Sequence, residues 1–263
     1  MEVKRGGVKI HYEVDGDGPC VVLSHSLACH SAMWEPQIAY LKSRYCVLTI
    51  DTRGHGLSDA PAGPYTLEQL TEDVIAALDD HGVGRVHFVG LSMGGMLGQL
   101  LALAHPERLA SLTLADTTSR FPPGSDKVWA ERIATATGQG MQALVEPTLA
   151  RWFTADFRAR GAGVLERVGA MIRSTPVAGY VGCCHAIPKI DTTDRLGEIR
   201  CPTLVIVGED DPGTPVAMAK TIHDAIQDSE LTVIPKASHL CNLERPDAFN
   251  RVLGGFLDRV APH

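Results

Sequence analysis

Residues 88–95 read Phe-Val-Gly-Leu-Ser-Met-Gly-Gly, placing Ser92 at the centre of a Gly-x-Ser-x-Gly pentapeptide. The apolar run ending at Leu91 has the character of a buried parallel strand. From Met93 to Leu103, Met, Leu and Ala recur at helical spacing. This pentapeptide between strand and helix predicts a nucleophile elbow, with a serine hydroxyl at the tip of a sharp, strained turn. Gly90 and Gly94 are expected where a side chain would clash. The same turn aims a helix N-terminus at a developing oxyanion.

A serine hydroxyl is a weak nucleophile and needs a base, which needs an orienter. Behind such an elbow the acid comes next in the chain and the histidine last. His239, in Lys236-Ala237-Ser238-His239-Leu240, is the expected base. His25 and His55 lie in Gly- or Ser-rich loops and are expected to hold loop structure, whereas His30 and His185 could reach a pocket. His11, His81, His87, His105, His223 and His263 fall on strands, helix ends or the terminus, as surface or packing residues. For the acid, Asp211 precedes Pro212, which pushes its backbone to an extended shape that can present the carboxylate inward. Asp210 would then face solvent, and it and Asp116 remain the alternatives. Asp51 is expected to pin the Arg53-Gly54-His55-Gly56 loop. The two amide donors of an oxyanion hole are expected from Met93, after the nucleophile, and from Leu27 in the loop after an earlier strand.

The elements that must hold these groups alternate. Val3–Lys4 and Val8–Val14 flank Gly6-Gly7 as an antiparallel hairpin. Strand character recurs at 20–24, 45–50, 85–91, 109–115, 203–208 and 231–235, with helices at 33–41, 67–81, 93–104, after Thr214-Pro215 and after Pro246. Thr66 is expected to cap the second of these, and Thr214 to cap the helix opened by Pro215. The alternation implies an α/β fold: a mostly parallel, eight-stranded sheet with helices on both faces. Residues 120–190 carry no convincing strand but show helical stretches near 127–135, 140–151, 163–173 and 178–186. They are expected to form a helical cap inserted into a core made of 1–119 and 191–263. The insertion holds nine Lys or Arg against five Asp or Glu, while the whole chain has a net charge of −7. A basic lid on an acidic body hints at an anionic ligand, although by itself the charge pattern is more often a solvated helical surface.

The 263 residues suit one large domain, and 44% hydrophobic residues can build a sizeable core. The acidic balance argues against a nucleic-acid partner. Seven Cys, an odd number without a Cys-x-x-Cys, read as reduced thiols in a cytoplasmic protein. The N-terminus lacks an apolar signal core, and no run has the length of a membrane span. Neither a His-Glu-x-x-His nor a spaced Cys/His set is present, and Gly90 to Gly95 lacks phosphate-loop or dinucleotide spacing, so no metal and no cofactor are expected.

Several runs together resemble one family. These are His25-Ser26-Leu27, Met33-Trp34, Pro36-Gln37, Asp51-Thr52-Arg53-Gly54-His55-Gly56-x-Ser58 and Gly63-Pro64-Tyr65-Thr66-x-Glu68-Gln69-Leu70. Gly90-Leu91-Ser92-Met93-Gly94-Gly95, Arg151-Trp152-Phe153-Thr154, Gly179-Tyr180-x-Gly182-Cys183-Cys184-x-Ala186-Ile187 and Ser238-His239-Leu240-x-Asn242-x-Glu244 complete the set. The chain resembles the 3-oxoadipate enol-lactonases of the α/β-hydrolase superfamily across nearly its whole length. The resemblance implies an α/β-hydrolase fold, a Ser92–Asp211–His239 triad, and hydrolysis of 3-oxoadipate enol-lactone to 3-oxoadipate in the β-ketoadipate pathway of aromatic degradation. It further implies that Trp129 walls the pocket and Arg132 meets a substrate carboxylate. The chain departs from the family in having Ala28-Cys29-His30 where members usually have Gly-Thr-Asp. A carboxylesterase, a lactonase for another acid or a cofactor-free perhydrolase would use the same triad. A non-catalytic receptor on the same fold is the reading from a different class.

Overall fold

The computed structural model describes residues 1–261; His263 lies outside them. Eight strands form one sheet: β1 (Glu2–Arg5), β2 (Val8–Asp15), β3 (Cys20–Ser24), β4 (Cys46–Asp51), β5 (Val86–Leu91), β6 (Leu109–Ala115), β7 (Thr203–Gly208) and β8 (Glu230–Ile234). Their spatial order is β1-β2-β4-β3-β5-β6-β7-β8. β2 pairs antiparallel with both its neighbours, β1 and β4, and all the other pairings are parallel. β3, β5 and β7 are buried at every residue, as continuous apolar runs covered on both faces must be.

The core helices are α1 (Glu35–Leu41), α2 (Leu67–His81) and α3 (Met93–Ala104). After β6 come α4 (Asp126–Gln139), α5 (Gln142–Trp152), α6 (Ala155–Arg160), α7 (Ala162–Ser174) and α8 (Val177–Ala186), and after β7 come α9 (Val216–Ala225), α10 (Cys241–Glu244) and α11 (Pro246–Val260). Right-handed crossovers set the layers. The β3–α1–β4 step runs toward one edge, whereas β4–α2–β5, β5–α3–β6 and β7–α9–β8 run toward the other, so α1 lies opposite α2, α3 and α9. α11 packs on α1 and shares its face. Among the described residues, no helix is long and apolar enough to cross a membrane.

Caps behave as the side chains dictate. Thr66 accepts the Gln69 amide at 3.1 Å and Gly82 ends α2 in the left-handed region. Thr214 departs from expectation. The residue capping α9 is Pro215, which offers no side-chain hydrogen bond, because the Thr214 hydroxyl is used elsewhere. The first helix starts two residues later than its pattern predicts, since Ser31–Trp34 close a tighter 3-10 turn ahead of Pro36. The chain between β6 and β7 is helical, and it includes one short helix, α6, absent from the expected set. Its neck is drawn together by a bridge between Arg120 and Asp191, where the Arg120 guanidinium meets both Asp191 and Asp194.

Candidate active site

The parallel strands end on one edge of the sheet, and the loops leaving β3, β5, β7 and β8 converge there. Ser92 follows β5 with φ +56° and ψ −113°, a left-handed conformation that a serine adopts only when its surroundings impose it. A Cβ on Gly90 would run into the Gly94 carbonyl, and one on Gly94 into the backbone of Ser24. The turn therefore requires both glycines. The Ser92 amide donates to the Ala115 carbonyl at 2.8 Å, and its own carbonyl accepts the Thr117 hydroxyl at 2.8 Å.

His239 follows β8 and presents Nδ1 to Asp211 Oδ2 at 2.8 Å. Asp211 is held by three further donors: the Thr214 hydroxyl at 2.5 Å, the Gly213 amide at 2.7 Å and the Thr214 amide at 3.1 Å. These bonds explain why Thr214 does not cap α9. Burial pushes the Asp211 carboxyl up, but the His239 charge and the hydrogen bonds outweigh it, so its pKa ends below the ordinary value. For His239 burial lowers the pKa, and the Asp211 charge and hydrogen bond reverse that, leaving the imidazole more basic than usual. With Nδ1 spent on Asp211, Nε2 is the ring atom left for a substrate or nucleophile.

Asp210 is exposed. Asp116 is fully buried, but its hydrogen bonds go to other partners than the imidazole. Its Oδ1 accepts the Gly208 amide at 2.8 Å and its Oδ2 accepts the Cys241 thiol at 2.8 Å. Burial, and then the nearby Asp211 charge, push its pKa up to about 8. Of the three acids considered, Asp211 is the one bonded to the imidazole.

Ser92, His239 and Asp211 line one cleft enclosing about 560 Å³, its open mouth included, and Leu27, Trp129 and Arg132 line it too. Among the described residues Ser92 Oγ makes no hydrogen bond to the imidazole; nucleophile–base contacts often tighten only once substrate is bound. Met93 opens α3, so its amide has no partner within the helix. Among the described residues the Leu27 amide likewise makes no backbone hydrogen bond outside the regular elements. The loop carrying Leu27 is fixed by histidines. His55 Nε2 accepts the Ala28 amide at 3.0 Å, with Ala28 at φ +60°, and His25 Nε2 accepts the Thr52 amide at 2.9 Å. Burial lowers their pKa values to about 3 and about 4, so both stay neutral acceptors. Asp51 takes the amides of Ser31 at 2.8 Å and Leu57 at 2.9 Å, spanning the loop it was expected to pin.

Trp129 and Arg132 share one turn of α4, with the guanidinium 4.5 Å from the indole centroid and Phe121 edge-on to the same indole. His30 and His185 do not line the cleft. Residues beyond the expected set also meet here. Trp152 stacks on the His239 ring, and Arg151 lines the cleft beside it. Glu244, buried, accepts the Ser238 amide at 2.9 Å and the Thr154 amide at 3.1 Å, joining the histidine loop to the end of α5. The run Arg151-Trp152-Phe153-Thr154 carries part of the family resemblance, but that resemblance assigns Arg151 and Trp152 no role.

The sequence profile described as the alpha/beta hydrolase fold matches residues 19–246. The chain is 37% identical to 3-oxoadipate enol-lactonase 2 of Acinetobacter baylyi, over 96% of this chain and 94% of that protein. It is similar in structure to the enol-lactonase from Burkholderia xenovorans LB400, with TM-score 0.94 and 39% identity over 98% of this chain and all of that one. A thermophilic esterase from Thermogutta terrifontis, solved with malate bound, superposes with TM-score 0.94 at 28% identity, over the full length of both chains.

Proposed function

This chain belongs to the α/β-hydrolase fold family and is a hydrolase of ester or lactone bonds, and from that premise we propose that it opens a carboxylate-bearing lactone, 3-oxoadipate enol-lactone. One observation carries this reading: the buried Asp211–His239 pair shares its cleft with Ser92 and with an arginine whose Nε is buried without a hydrogen-bond partner. A neutral ester would leave that cation uncompensated, and a substrate carboxylate supplies its partner. The similarity to two enol-lactonases, one by sequence and one by structure, supports the same substrate class.

In the proposed reaction, His239 Nε2 takes the Ser92 proton as Oγ bonds to the lactone carbonyl carbon. Asp211 holds the imidazole tautomer and balances the imidazolium. The Leu27 and Met93 amides receive the oxyanion. Collapse breaks the ring C–O bond. The enolate stays tethered to the acyl group and becomes the ketone by taking at carbon the proton that His239 Nε2 gained from Ser92, which returns the imidazole to its neutral form. His239 then takes a proton from water, which attacks the acyl carbon, and Ser92 Oγ leaves with that proton. One lactone and one water yield one keto diacid.

A panel of enol-lactone, saturated lactone and phenyl acetate tests the substrate, using wild type and Arg132→Gln. The enol-lactone should have the highest kcat/KM. Arg132→Gln should raise its KM on the order of tenfold or more and leave that of phenyl acetate nearly unchanged. Equal preference for the neutral ester, or equal effects of the substitution on both, would overturn the reading.

A further inference from the structure

The cleft holds a second cation that the proposed reaction does not use. Arg151 ends α5 and lines the same cavity as Ser92, His239 and Arg132. Its side chain donates to the Thr148 hydroxyl at 3.2 Å, and among the described residues neither Arg151 nor Arg132 pairs with a carboxylate. Both guanidiniums line the one cleft, and burial, and then the Arg132 charge, lower the Arg151 pKa. Two half-buried like charges without a counterion are costly unless a ligand brings the compensating charge.

The position of Arg151 is fixed by the histidine loop. Its carbonyl accepts the Ser238 hydroxyl at 2.9 Å, and the neighbouring Trp152 carbonyl accepts the Leu240 amide at 3.2 Å. These two bonds bracket His239 in sequence, and the Trp152 ring stacks on its imidazole at 6.0 Å between centroids. Arg151 is thus tied to the base that drives hydrolysis, while Arg132 belongs to the Trp129 wall.

We infer that Arg132 and Arg151 together form a dicarboxylate site, in which Arg132 holds the carboxylate the lactone already carries and Arg151 holds the one released when water cleaves the acyl-enzyme. The assignment rests on the lactone reading, because hydrolysis of the ring ester by water converts a monoanion into a dianion and releases one proton. The cleft should accordingly bind a straight-chain six-carbon diacid better than the matching monoacid. A guanidinium–carboxylate pair is charge-assisted and can be bidentate, which favours arginine over lysine here.

Calorimetric titration of adipate and of hexanoate into the wild-type protein and Arg151→Gln tests this. Wild type should bind adipate on the order of tenfold or more tighter than hexanoate. Arg151→Gln should erase that difference by weakening adipate alone. Equal affinities in wild type, or an adipate preference that survives in folded Arg151→Gln, would overturn the site. Should that variant fail to fold, the Arg151 Nε–Hε resonance of wild type decides, since it should shift with adipate and stay still with hexanoate; a resonance unmoved by adipate counts against it. Adipate preference in a protein that does not turn over the enol-lactone would remove the lactone reading and leave the diacid site. Lactone turnover without adipate preference would do the reverse.

Discussion

The Trp152 indole stacks on the His239 imidazole, with ring centroids 6.0 Å apart and planes inclined by 29°. A residue of the helical segment between β6 and β7 is thereby part of the wall that orients this imidazole. The contact is reinforced below the rings, where the Trp152 carbonyl accepts the Leu240 amide and the Glu244 carboxylate bridges Ser238 to Thr154. That segment and the histidine loop are built as one unit.

Glu244 is the keystone of that unit. One of its oxygens takes the Thr154 amide at 3.1 Å and the Thr154 hydroxyl at 2.5 Å, and the other takes the Ser238 amide at 2.9 Å. Glu244→Ala would leave three donors without a partner in a buried place. It should cost about 2–4 kcal/mol of stability in a urea denaturation curve, as bonds to a buried charged group do. Because Ser238 adjoins His239, kcat for any ester should fall more than KM changes. Unchanged stability and kcat would show that the clamp is idle.

The activity profile should reflect the basic His239. The imidazole must be neutral to accept the Ser92 proton, so activity is lost as pH falls through its pKa. Burial lowers that pKa, but the Asp211 charge and hydrogen bond outweigh it and leave it above the ordinary 6.5, with Arg132 opposing. The acidic limb of kcat/KM should therefore lie above pH 6.5. In Asp211→Asn the limb should move to lower pH, since burial then dominates, and the rate should drop by about 10⁴-fold. An acidic limb that stays in place in Asp211→Asn would contradict the assignment.

Asp116 should leave a mark on stability. Its folded pKa of about 8 lies above the 3.8 of the unfolded chain. The folded state therefore holds a proton that the unfolded state has lost between these values, and stability falls there as pH rises. The slope from this group is about 1.4 kcal/mol per pH unit. Its contribution is complete below pH 3.8 and gone above about pH 8. Asp116→Asn keeps an acceptor for the Gly208 amide and removes the titration, so it should gain on wild type steadily between pH 5 and pH 8. Parallel stability curves for the two proteins would refute a protonated Asp116.

Much of this architecture was legible in the residues. The elbow could be read because its chemistry is local: an apolar strand, two glycines and a helix with Ser92 between them. Asp211 could be separated from Asp210 because Pro212 restricts the backbone beside it, and the structure places Asp211 on the imidazole. What could not be read came from chain segments that meet only after folding. Trp152 and His239 are far apart in sequence, as are Asp116 and Cys241. Arg151 belongs to a run that carries the family resemblance, but its place beside Arg132 shows only once α5 folds back over the cleft. Thr214 was misread for the opposite reason: Thr before Pro is a good local cap signal, and a tertiary partner, the Asp211 carboxylate, outcompeted the helix end for its hydroxyl.

The proposed reaction depends most on Ser92 as the attacking group, and Ser92→Ala assayed on the enol-lactone tests it directly. The substitution removes the hydroxyl while the His239–Asp211 pair and the two amides remain. Removing the nucleophile of such a triad costs around 10⁶-fold in kcat, so turnover should fall to that level in a protein whose far-UV spectrum and denaturation midpoint match wild type. Lactone hydrolysis by Ser92→Ala within tenfold of wild type would contradict the covalent mechanism and the site built around it.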